Sequence, residues 1–216
     1  MHIEVRGACV RFGARVVFEG IDASFAAGRV TALVGPSGSG KSTLLAAMAG
    51  YQRLDAGSIT VSHNDAVNHL DTVSGPDAGL VAWVPQGSNA LGTRTALDNV
   101  MIAPLSEGRH PAVARAVALA ALAEVGLADQ ANQRARVLSG GELQRVSFAR
   151  ALASTKPVIF ADEPSASLDG ANAERLGSLL FELRSRATII VATHDPILIE
   201  AAEAVVHLRL EHGHAA

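Results

Sequence analysis

Residues 35 to 42 read GPSGSGKS, a glycine-rich run that ends on Lys41 and Ser42 and sits between VTALV (30 to 34) and TLLAAMAG (43 to 50). Backbone that curls tightly enough to aim several N–H groups at phosphate oxygens needs positive φ angles, which glycine adopts at least cost. Gly35, Pro36, Ser37, Gly38, Ser39 and Gly40 therefore read as a cradle for phosphate. Lys41 adds a cation on a long stem, Ser42 supplies a hydroxyl for Mg²⁺, and Thr43 follows in the helix start. The helix predicted after the loop turns its unpaired N–H groups and positive dipole end toward the same anion. A nucleoside triphosphate is the expected ligand.

Phosphoryl transfer also needs a metal, an oriented water and groups that stabilise charge on the transferring phosphate. VIFADEP (158 to 164) ends an apolar run on two adjacent carboxylates, and alternation along a strand predicts that they point in different directions. Asp162 is then the candidate for the metal and Glu163 for the water. LSGGELQR (138 to 145) sets Ser139, Gly140 and Gly141 before a predicted helix, a second place where backbone N–H groups and a hydroxyl could meet an anion.

The elements that must carry these residues are legible in outline. Up to residue 34, apolar stretches with turn signals at Gly13, Gly20 and Gly28 predict short strands. Gly50 is expected to cap the loop helix, SITVS (58 to 62) and GLVAWVPQ (79 to 86) read as strands, and the polar stretch 63 to 79 reads as an exposed hairpin or loop. From 87 to 155 the pattern is helical, with Pro111 suited to a first helical position and Gly126 to a C-terminal cap. VIFA and TIIVAT, short and β-branched or apolar, read as buried parallel strands separated by a helix.

Taken together and in order, GPSGSGKS, Gln86, LSGG, ADEP, SLD (167 to 169) and His194 resemble the ATP-binding-cassette (ABC) ATPases over nearly the whole chain. The resemblance implies an α/β fold: a P-loop NTPase core with a mostly parallel sheet, an N-terminal antiparallel β subdomain and an inserted α-helical subdomain. It implies one ATPase domain over 1–216, with 1–86 and 156–216 as core and 87–155 as the helical insertion. It further implies ATP and Mg²⁺ as cofactors and a head-to-tail dimer, in which ATP on the phosphate loop of one subunit is closed over by Ser139, Gly140 and Gly141 of a second copy or a homologous ATPase. On that likeness Glu163 is the general base, His194 contacts the γ-phosphate beside Lys41, Gln86 senses metal and water, and Asp169 lies across the dimer seam. Phe12, 23 residues before Gly35, stands where the family more often has a Tyr stacking on adenine.

The family's usual partner is a transmembrane permease, so the implied location is the cytoplasm, peripheral on the inner face of the cell membrane. RTALDNV (94 to 100), QRVSFARAL (144 to 152) and ADEPSASLD are similar to the ATPases of lipoprotein release, macrolide export and cell division. Ser165 replaces a common Thr, and PSASLD lacks a frequent glycine; neither removes a catalytic group. The other class with this cassette acts on DNA or ribosomes. It is disfavoured because the segment before LSGG is too short for a coiled-coil insertion and only one cassette is present.

Bulk properties agree. A chain of 216 residues with 49% hydrophobic content can bury a large core, and its 4% aromatic content leaves that core to Ala, Val, Leu and Ile. A net charge of -3 leaves no electrostatic footprint for nucleic acid. One cysteine, Cys9, allows no intrachain disulfide. MHIEVRGACVRF carries charges where a secretion signal needs an apolar core, and AVARAVALAALAEVGLA (112 to 128) is interrupted by Arg115 and Glu124, which predicts no membrane span. His207, His212 and His214 read as a solvated tail rather than a metal site.

Overall fold

Five short parallel strands form the sheet on which everything else is mounted. In space they run β6 (Val81–Val84), β7 (Val158–Asp162), β8 (Thr188–Thr193), β3 (Val30–Val34) and β9 (Ala204–His207). A parallel sheet must be covered on both faces, and the alternation of side chains here feeds two separate cores. Val158, Phe160, Ile190 and Ala192 enter one apolar cluster, whereas Ile159, Ala161, Ile189 and Val191 enter the other. That two-sided burial is why VIFA and TIIVAT read as continuous apolar runs. The computed structural model describes residues 1–63, 66–70, 79–166 and 168–208.

A second sheet is antiparallel, in the order β2 (Arg15–Phe25), β1 (His2–Phe12), β4 (Ala56–His63) and β5 (Ala66–Leu70). Its inner residues Ile3, Val5, Phe18, Phe25 and Ile59 join Leu33, Leu44 and Met48 in one cluster, so this sheet and the helix α1 (Lys41–Met48) share a core. The N-terminal segment departs from its expected short strands. β1 and β2 have 11 residues each, and Gly20, expected at a turn, lies inside β2 with φ 68°. Register shifts along the β1/β2 pair show the reason: these strands are kinked by bulges, which borrow the residues that elsewhere mark turns. Gly13 does make a turn, with φ 60°, between the paired residues Phe12 and Arg15.

Helices α2 (Ala96–Ser106), α3 (Pro111–Glu124) and α4 (Gly140–Ala153) all lie between β6 and β7 in sequence and pack against one another. Pro111 opens α3, and Gly126 follows its end with φ 69°, as expected. Thr95 caps α2 reciprocally with Asp98. α5 (Gly170–Leu183) and α6 (Pro196–Ala201) pack on each other, and their Leu176, Leu180 and Leu198 share a core with Ile189 and Val191 of β8. The stretch 63 to 79, expected as an exposed hairpin or loop, includes the strand β5, which pairs antiparallel with β4; residues 64–65 and 71–78 lie outside the described residues, as do His212 and His214. No helix among the described residues is long and apolar enough to cross a membrane.

The tightest approach at a described glycine joins β1 to the start of β4. Gly57 has φ +86°, and a Cβ there would stand 2.4 Å from the carbonyl carbon and oxygen of Gly7. Both strain and overlap oppose any side chain. Gly57→Ala is expected to lower unfolding stability by about 2–4 kcal/mol, read as an earlier midpoint in urea; a midpoint equal to that of the unaltered protein would contradict the packing described.

Candidate functional site

The phosphate loop leaves β3 at Val34 and returns at once into α1. Gly35 is packed so closely that a Cβ would meet Ser39 Oγ at 2.6 Å and the Leu208 carbonyl oxygen at 2.8 Å. Gly40 caps α1 at φ 90°, where a Cβ would lie 2.8 Å from Val17 Cγ1 and 2.9 Å from Phe18 Cδ1. The antiparallel sheet thus presses on the loop and holds its curl. Lys41 Nζ folds back under the loop, donating to the Gly35 carbonyl at 2.9 Å and the Pro36 carbonyl at 3.4 Å.

The end of β7 brings both acidic candidates beside this loop. Ser42 Oγ donates to Asp162 Oδ1 at 2.9 Å. Glu163 approaches Lys41 Nζ at 3.2 Å, and both side chains are largely buried. His194 Nδ1, from the exposed turn after β8, lies 2.9 Å from Glu163 Oε2 without the alignment of a hydrogen bond, so that buried oxygen has no hydrogen-bond partner. The divergence of the two carboxylates does not come from strand alternation, as the sequence suggested. β7 stops at Asp162, and Glu163 takes φ 44°, the one positive value among described non-glycine residues. Its N–H donates to the Ala192 carbonyl at 2.8 Å, which pins this unfavourable conformation to β8.

Phe12, Gln86, Glu163, His194 and the loop from 37 to 43 line one cleft of about 400 Å³. Phe12 is 54% exposed, so its ring is a free face at the cleft mouth rather than a core residue. Two further lining residues, Arg15 and Val17, were missed by sequence reading; the signal for them is their position just beyond the Phe12–Gly13 turn. Ser139, Gly140, Gly141 and Asp169 do not line this cleft. Ser139 caps α4 reciprocally with Glu142: its N–H and hydroxyl each lie 2.8 Å from Glu142 Oε2. These bonds from Ser139 hold the Glu142 carboxyl below its ordinary pKa. The helix start read as an anion site therefore already carries an acid of its own. Asp169 caps α5 by accepting from Asn172, and the Asn172 side chain stands where a Cβ on Gly141 would come within 3.1 Å. Asn172, a third residue not foreseen, thus packs the start of α5 against the start of α4.

The description "ABC transporter" belongs to the family whose pattern matches residues 18–166. This chain belongs to that family. It is an ATP-binding, ATP-hydrolysing subunit of an ABC transporter. Among its relatives, the lipoprotein-releasing system ATP-binding protein LolD of Bacteroides thetaiotaomicron is 39% identical over 95% of this chain and 96% of that one. A phosphonates import ATP-binding protein, PhnC 2 of Rhodopseudomonas palustris, is 38% identical over 92% of this chain and 72% of that one. A solved ATP-binding cassette in a dimeric, post-hydrolysis state bound to ADP and Pi superposes with a TM-score of 0.78 at 28% identity, covering 96% of this chain and 94% of that one. Another, in its ADP conformation, has a TM-score of 0.81 at 23% identity, covering 96% and 87%, and bears on the fold alone.

In this ABC ATPase, burial pushes the Asp162 carboxyl above its ordinary pKa. The Ser42 hydrogen bond opposes that rise, the Glu163 charge adds to it and the Lys41 charge opposes it. The folded protein thus binds this proton more tightly than the unfolded chain. Its contribution to stability falls as pH rises from the ordinary carboxylate value through the raised one. Asp162→Asn, which keeps an oxygen for Ser42, is expected to raise the melting temperature of metal-free protein by a few degrees at neutral pH and to lose that advantage in acid. Melting curves across pH that show no such convergence would count against the assigned cause.

Proposed function

We propose that Lys41, Ser42, Gln86, Asp162, Glu163 and His194 form the hydrolytic machinery of this subunit, with Mg²⁺ as its metal, and that it powers a separate transmembrane permease. The observation that carries the reading is the meeting of Lys41, Ser42, Glu163 and His194 at one cleft, with Asp162 hydrogen-bonded to Ser42, within the distances given above. The Ser42 hydroxyl and the Asp162 carboxylate, 2.9 Å apart, are the hard oxygen donors that Mg²⁺ prefers. Bound by them, Mg²⁺ would neutralise charge on the phosphates. Phe12 offers its exposed ring to adenine, and the N–H groups from Ser37 to Thr43 hold the phosphates.

Glu163 then accepts a proton from water as the water oxygen attacks the γ-phosphorus. The bond from that phosphorus to the oxygen of the β-phosphate breaks, giving ADP and phosphate. Lys41 and His194 flank the Glu163 carboxylate and fix its aim, and Gln86, on the turn after β6, closes the opposite side of the water. Ser139, Gly140 and Gly141 lie outside the cleft, which suits their contribution to the cleft of a second copy, with Asp169 at the seam. The near full-length match to LolD proteins supports a lipoprotein-releasing transporter as the assembly, with this subunit on the cytoplasmic side of the membrane, held there by its permease.

Glu163→Gln is expected to lower ATP turnover by roughly two to four orders of magnitude while nucleotide binding persists. Phosphate release and calorimetric titration measure the two separately. Turnover like that of the unaltered protein would remove Glu163 from the role of base, and loss of binding would point to a structural one.

A further inference from the structure

The charged side chains lining the cleft are Arg15, Lys41 and Glu163, with His194 beside them. Lys41 is already shared among the Gly35 and Pro36 carbonyls and the Glu163 carboxylate. Asp162, which accepts a hydrogen bond from the lining residue Ser42, adds a further carboxyl group close by. A triphosphate brings several negative charges into a site whose one buried cation is balanced by a carboxylate. Arg15 changes that balance. It is exposed, and among the described residues no carboxylate forms an ion pair with it, whereas its neighbour Arg11 is engaged by Glu19 at 2.9 Å.

Its position is set by the β1/β2 hairpin. Arg15 is the cross-strand partner of Phe12 across the Gly13 turn, so the two side chains leave the same face of the sheet, with Cβ atoms about 5 Å apart. Two residues further along β2, Val17 touches Gly40 of the phosphate loop and lines the same cleft. Phe12 therefore marks the base end, Val17 the phosphate end, and Arg15 stands on the strand that joins them, with a side chain long enough to reach toward either.

We propose that Arg15 is a nucleotide-binding residue, the second cation of the site, whose guanidinium pairs with the phosphate chain of a nucleotide that Phe12 holds by its base. The inference rests on the nucleotide-cleft reading above and extends it to a residue outside the phosphate loop. A guanidinium suits the task because it stays charged and offers several donors in one plane to phosphate oxygens.

Calorimetric titration of ATP, ADP and AMP, carried out in low and in high salt, tests it. Arg15→Ala is expected to weaken ATP binding about tenfold in low salt, to weaken ADP less and AMP least, and to approach the unaltered protein in high salt as the charge is screened. Arg15→Lys should recover most of the loss. Arg11→Ala, at an exposed arginine that does not line the cleft, is expected to bind all three as the unaltered protein does. Equal affinity of Arg15→Ala and the unaltered protein for ATP overturns the proposal, as does an equal, salt-independent loss for ATP and AMP, which would mean that Arg15 only stacks on the base. If the unaltered protein itself fails to bind ATP, the nucleotide-cleft reading fails instead.

Discussion

In-register pairing of four parallel strands is the constraint on which the site depends. Val84 of β6 pairs with Ala161 of β7, Asp162 with Ala192 of β8, and Val34 of β3 with Thr193 of β8. These pairs place the carboxyl ends of the four strands side by side. Within two residues of these ends come Gln86, Glu163, His194 and the start of the phosphate loop. Polar groups from positions far apart in sequence converge because ladders of backbone hydrogen bonds, buried on both faces, leave no freedom to slip; a shift of one residue would send Phe160 and Ile159 into each other's core. The crevice beyond the carboxyl ends of such a sheet is where ligands bind in open α/β folds.

The antiparallel sheet has a narrower task. It closes the loop from the side through Val17 and Phe18 against Gly40, and it carries Phe12 and Arg15 on a two-residue turn above the cleft. Its long, bulged strands let one end share the core with α1 while the other projects over the cleft. The bulges are the device that bends a continuous strand to both duties.

Legibility in the sequence follows from how local each cause is. The phosphate loop, the caps at Pro111 and Gly126, and the buried strands at 158 and 188 depend on residues within a few positions, and all could be read directly. Gly20 could not, because a glycine that bends a bulge and one that ends a strand look alike without the pairing partner. Arg15 was missed because its relation to the loop exists only through the hairpin register. The direction of Glu163 was right for the wrong reason: alternation predicted divergence from Asp162, whereas a left-handed residue held by Ala192 produces it. The cap of Glu142 on Ser139 was written in the spacing S-x-x-E, yet that spacing also fits a bare anion site, and the Glu142 carboxyl turned back onto Ser139 separates the two.

Unfavourable local features concentrate where these ends meet. Asp162 is desolvated enough to hold its proton more tightly, Glu163 adopts a conformation that costs on the order of 1–3 kcal/mol, and Ser39 Oγ and Glu163 Oε2 are buried without hydrogen-bond partners. Each orients or withholds a polar group at the cleft, and each is tolerable because β7 and β8 bury Val158, Phe160, Ile189, Ile190 and Val191 almost completely, at about 1.5–3 kcal/mol for each large side chain. Stability gained in the sheet interior therefore sustains strain at its edge. A carboxylate poised between Lys41 and His194 persists only because the strands beneath it cannot relax.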